Sequence, residues 1–267
     1  MASEIALRGL RDHRRALIGW CVGVSAYVAL VASIFPSIES SPEFNDLVEN
    51  YPDILKSLFG LAEGGNITSG AGYLDVELFS FMLPLLVLVL AIGSGARTLA
   101  GEEDVGRLEL VLSYPVRRRN AVVAKGTAVA CEIVVVCAVA GLTILAFDPL
   151  VGLDLSLTNQ VSALASLFAL GLLYGWLALA VGAAVPSRAL AVGIPAGTAA
   201  VAYLVSGLHG LAGWLDPFRF LSPFWLVGSS PLQNGADGWG VLVVVVAAIL
   251  VLLAGSLLVE RRDLETP

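Results

Sequence analysis

Six unbroken apolar stretches dominate this sequence, at 16–35, 78–96, 121–147, 161–185, 189–208 and 239–259. Each is close to the roughly 20 residues that a helix needs to cross a hydrocarbon core about 30 Å thick. Inside hydrocarbon every backbone N–H and C=O must find a partner within the protein, so only helices or a closed barrel can span it. Barrel strands alternate apolar and polar residues with a period of two. These runs are continuous, which selects helices. The chain is 57% hydrophobic and only 14% charged, against about 25% charged in soluble domains. The expectation is an all-α polytopic protein, a single transmembrane domain over 1–267 in the cell membrane. The first run follows an arginine-rich start, but no small-x-small cleavage pattern follows it, so it reads as an uncleaved span.

Lysine and arginine orient the spans, because they concentrate on the cytoplasmic side. With both termini placed inside, thirteen of the 15 basic residues fall on that side, and only Lys56 and Arg219 fall outside. The acidic residues favour the other face, where Asp75, Glu77, Asp148, Asp154, Asp216 and Asp237 sit among others. An acidic outer face can attract cations, although avoidance of positive charge in translocated loops explains it as well. The net charge of −7 argues against a nucleic-acid partner, which requires a basic face. Cys21, Cys131 and Cys137 lie inside apolar runs and read as small core residues.

Breaks and small residues divide the spans further. Pro36 is expected to end the first span and Asp148-Pro149 the third, while 186–188 leave only a tight hairpin between the fourth and fifth. Pro84 and Pro195 fall within spans and are expected to kink them. Gly171 with Gly175, and Gly193 with Gly197, are small-xxx-small pairs that let helices approach closely. Packing within one subunit is preferred over a dimer seam for them. Two outer segments are more than turns. The stretch 36–77 carries helix-start signals at Ser41-Pro42-Glu43. The stretch 209–238 sets Trp214, Phe218, Phe220, Phe224 and Trp225 among prolines, which suits an interfacial or re-entrant element.

The inner loop at 99–119 is the least bland part of the chain. It opens on Glu102, Glu103 and Asp104, and it closes on Pro115 and three arginines. Acids at the start and cations at the end suit a helix dipole, and Val105, Leu108 and Leu112 make one apolar stripe. A short amphipathic helix follows from this, to lie in headgroups or to dock a partner.

The run Gly-Glu-Glu-Asp-x-Gly-x-Leu-Glu-Leu-x-Leu-Ser-x-Pro-Val-x-Arg from Gly101 resembles the loop between spans two and three of type-2 ATP-binding-cassette (ABC) exporter permeases. The stretches Tyr51–Gly60, Gly72–Leu85, Leu221–Phe224 and Glu260–Asp263 also resemble that family, so the likeness covers nearly the whole chain. Asp104 and Val105 depart from the pattern, which has Glu and then Arg or Lys. The resemblance implies a six-span half-transporter that pairs with a second copy or a related permease and is driven by a dimer of ABC ATPase subunits. The loop helix would be the coupling element, with Glu102, Glu103, Gly106, Leu108 and Glu109 touching the ATPase. Residues 1–15 would be an interfacial helix. ATP and Mg would bind the partner ATPase, with no cofactor on this chain. The sequence agrees on that point, since it holds no Gly-Lys dipeptide and therefore no P-loop.

Glu132 lies within the third span, where an ionisable group is costly and is by default a functional candidate. It is expected either to serve a cationic substrate, proton coupling or a cross-dimer pair, or to sit near the boundary paired with Lys125 one heptad away. Arg97 reads as a snorkelling anchor. The expected function is export of a drug, lipid or other amphiphile. The rivals are a six-span channel or secondary transporter, which needs no acidic loop helix, and an intramembrane enzyme. Ser206 and His209 stand three residues apart on one span, and the only other histidine is His13. They make neither a catalytic pair on facing spans nor a metal-ligand set.

Overall fold

A computed structural model describes residues 14–39, 52, 54, 69–98 and 118–261. Residues 1–13 of the interfacial helix expected at 1–15, most of 36–77 and the coupling loop with Glu102, Glu103, Gly106, Leu108 and Glu109 lie outside the described residues. Within them all regular structure is helical. The elements are α1 (Arg14–Glu39), α2 (Gly70–Leu74), a π turn (Asp75–Phe79), α3 (Met82–Thr98), α4 (Arg118–Val151), α5 (Leu157–Ala184), α6 (Arg188–Leu208), a 3-10 helix (Asp216–Leu221), α7 (Pro223–Val227), α8 (Pro231–Asn234) and α9 (Gly238–Arg261). Among the described residues six helices are long and apolar enough to cross a bilayer: α1, the α2–α3 unit over Gly70–Thr98, α4, α5, α6 and α9. They are called spans one to six below. Connectivity gathers Arg14, Arg97, Lys125 and Arg188 at one end of the bundle, and Asp75, Asp148, Asp216 and Asp237 at the other.

Three boundaries differ from the sequence reading, and the two in spans two and three have a local cause. Span two begins at Gly70 rather than 78. Ser69 caps α2 by accepting from the Gly72 N–H at 3.1 Å, and Asp75, which reads as a loop acid, is 1% exposed inside the helical turn. Span one runs through Pro36 to Glu39. Span three runs through Pro149 to Val151. There the Asp148 carbonyl accepts from Gly152 and Leu153, and its carboxylate accepts from the Leu155 N–H at 3.3 Å. Those partners close the helix end that proline was expected to break.

Span four is the centre of the bundle. It packs against spans two, three, five and six, and 67% of its apolar window is buried. Glycines set these distances. A Cβ on Gly95 of span two would stand 2.1 Å from the Gly175 carbonyl, and one on Gly171 would stand 2.9 Å from Val87 and Ile133. Trp176 donates its indole N–H to the Gly126 carbonyl of span three at 2.9 Å. Lipid tails are as apolar as leucine, so close contact and interhelical hydrogen bonds, rather than escape from solvent, hold such a seam. Gly171 and Gly175 therefore pack within the subunit, as expected. Gly193 and Gly197 do not, since a Cβ on either meets nothing within 4 Å.

Candidate functional site

The loop at 99–119 leaves span two and enters span three, so the ends of those two helices form its base. The end of span two reads Gly93-Ser94-Gly95-Ala96-Arg97-Thr98. Gly95 lies against the backbone of span four. Next to it Ser94, 2% exposed, donates its hydroxyl to the Glu132 carboxylate of span three at 2.5 Å. Arg97 reaches the same hydroxyl oxygen with Nη2 at 3.3 Å. Lys125 of span three, also buried, donates Nζ to the Thr98 carbonyl. The last carbonyls of a helix lack partners within it, and a cation there also meets the negative end of the helix dipole.

Glu132 is 4% exposed. Its carboxylate lies in a helix–helix contact inside the subunit, bonded to span two. A buried carboxylate is expensive unless hydrogen-bonded, and Ser94 supplies that bond. Arg97 does more than anchor at the boundary, because it closes the same cluster. Sequence reading singles out neither Ser94 nor Thr98. Their signal was position: both lie within one turn of Arg97, at the mouth of the charged loop.

The opposite end carries a second clasp that sequence reading missed. Asp75 accepts from the Leu232 N–H at 2.9 Å with one oxygen and from the Gln233 N–H at 3.0 Å with the other. These are N–H groups of α8, which Pro231 opens. Span four holds the same short helix from its other side. The Asn159 amide donates to the Leu232 carbonyl at 2.9 Å and the Gln233 carbonyl at 3.1 Å, and the Ser162 hydroxyl accepts from the Ala236 N–H at 3.1 Å. Leu232 is 2% exposed. The segment after span five therefore dips into the bundle at 223–236. Its first part stays outside, with Trp214, Phe218 and Phe220 exposed and Arg219 set over the Phe220 and Trp225 rings.

No catalytic or metal chemistry emerges among the described residues. They hold no group of three His, Cys, Asp or Glu able to bind a metal. His209 Nδ1 contacts the Ser206 carbonyl, not its hydroxyl, at 2.8 Å. The fold and these two clasps define a multi-pass helical membrane protein whose polar side chains join helices to one another. The chain belongs to the family described as "Multidrug efflux system permease Rv1217c, C-terminal domain", which matches residues 2–258. It is thus a membrane permease of an efflux family and a transport protein rather than an enzyme. Among curated proteins nothing matches it.

Proposed function

We propose that this chain is the membrane half of an ABC exporter, moving an amphiphilic substrate outward on ATP hydrolysed by a separate ATPase subunit. The observation that carries the reading is the base of the span two–three hairpin. Ser94–Glu132 and Lys125–Thr98 fasten the two helices where the acidic loop departs, and Gly95 seats span two on span four. A push on the loop would then move spans two, three and four together, as a rocking of packed helices. A channel or secondary transporter has no need of a lever so fastened.

In this reading both termini are cytoplasmic, as the placement of arginine favours. Glu102, Glu103, Gly106, Leu108 and Glu109 contact the ATPase, and a second copy or a related permease completes the pathway. ATP and Mg are held by the ATPase, because this stretch has no P-loop. The test is co-purification with an ATPase subunit, followed by the double substitution Glu102→Arg and Glu103→Arg. The expected result is a folded permease that no longer stimulates ATP hydrolysis. Stimulation unchanged by both substitutions would remove the coupling role.

A further inference from the structure

Spans one and two meet at the acidic end of the bundle through Gly70–Phe79 and then part. Tyr73 fastens that meeting by donating its hydroxyl to the Val31 carbonyl at 3.0 Å. Beyond it the helices leave a groove of about 480 Å³, lined by Gly19, Trp20, Gly23 and Tyr27 of span one and by Met82 and Leu86 of span two. This volume falls within the roughly 300–1,000 Å³ of small-molecule sites. Trp20 and Tyr27 are seven residues apart on one helix face, so the groove runs about 10 Å between them at 1.5 Å per residue.

Two observations give the groove a chemistry. Glycine weakens a helix, yet Gly19 and Gly23 make no close contact that would require it. A Cβ on either meets nothing within 4 Å, so these glycines set the width of the groove rather than the fit of a seam. The second observation is Glu77, five residues before Met82 and exposed. Glu77 stands one helical turn beyond Tyr73, as Tyr27 stands one turn before Val31, the residue that Tyr73 bonds, so Glu77 lies on the side of span two that faces the Tyr27 end of the groove. It has no hydrogen bond or ion pair with another side chain among the described residues. A negative charge at the mouth, with indole and phenol faces below it, complements a cation carried on an apolar body.

We propose that this groove binds hydrophobic organic cations, with Glu77 holding the charge and Trp20 and Tyr27 covering the apolar part. The proposal rests on the efflux reading for its purpose, but binding is measured on the permease alone, without an ATPase. Full-length protein in zwitterionic lipid nanodiscs is titrated with tetraphenylphosphonium and with its isosteric anion tetraphenylborate, and empty discs are subtracted. The cation is expected to bind saturably, and the anion at least about tenfold more weakly. Glu77→Gln should weaken the cation about tenfold and leave the anion unchanged. Gly23→Leu should abolish saturable cation binding, whereas Gly193→Leu, at an equally open glycine on span five, should not. Equal binding of both ions would mean a groove that takes lipid-like bodies without regard to charge, and would overturn the proposal. Cation binding unaffected by Glu77→Gln, or by Gly23→Leu, would overturn it too. Failure to co-purify with an ATPase, or stimulation unchanged by the Glu102 and Glu103 substitutions, with cation binding intact, would sink the motor and spare the groove.

Discussion

Spans four and one are similarly apolar and similar in length, yet 67% of one window is buried and 22% of the other. Their glycines differ in the same way. Gly171 and Gly175 of span four press against spans two and three, while Gly19 and Gly23 of span one face open space. Hydrocarbon surroundings reward an apolar side chain wherever it points, so hydrophobicity does not choose which helix goes to the middle. Shape does. Span four places Gly175 opposite Gly95, and two backbones close on each other where no side chain intervenes. Span one has no such counterpart along its glycine face, so it stays at the edge and leaves a groove.

The largest effect that tests this comparison is expected at Gly95→Leu. The new side chain must start 2.1 Å from the Gly175 carbonyl, and backbone cannot step aside. Overpacking ordinarily costs about 1–3 kcal/mol, and this site should reach or exceed the upper end. Thermal unfolding in detergent should show a sharp loss of stability. Gly19→Leu, at an open position, should stay within about 0.5 kcal/mol of the parent. Equal losses in the two variants would break the comparison.

Next in size is Asp75→Ala. It strands two N–H groups of α8, each at about 1–3 kcal/mol when buried without a partner. Hydrogen exchange at Leu232 and Gln233 should quicken more than in spans four and six. Asp75→Asn, which retains one acceptor oxygen, should fall between. If Asp75→Ala leaves that exchange unaltered, the clasp does not hold the re-entrant segment.

A smaller loss, on the order of 1 kcal/mol, is expected for Glu132→Gln, which keeps an acceptor for Ser94 but gives up the charge-assisted bond. A stability unmoved by Glu132→Gln and by Ser94→Ala alike would argue against this contact as the fastening of the hairpin. Smallest should be Gly193→Ala on span five, where only 17% of the window is buried. Alanine is a better helix former by up to about 1 kcal/mol, and the open site should accept it with neutral or slightly raised stability. A marked loss of assembled transporter instead would mean that another chain covers that face.

Much of the fold was legible because its signals are local. The six runs, the tight turn at 186–188 and the aromatic, proline-broken segment after span five all stand in the sequence, and the structure has each of them. The start of span two was not legible. Asp75 and Glu77 look like loop acids until Leu232 and Gln233 arrive from 157 and 158 residues away to bond one of them. Pro149 reads as a stop because the pattern shows the missing N–H but not the partners that keep a last turn together. Glu132 was visible as a buried charge. Its attachment to Ser94 was not, since 38 residues separate them.

What the sequence determined by itself is the solvent and the count: long apolar runs admit only membrane-crossing helices, and six runs make six spans. The division of charge between the two ends is likewise written along the chain. Only the tertiary structure decided which span is central, which glycines close a seam and which widen a groove, and which acid caps a helix far along the chain. Apolarity belongs to a single residue and can be read one position at a time. A close approach or a shared hydrogen bond belongs to two residues, and exists only once folding has set both in place.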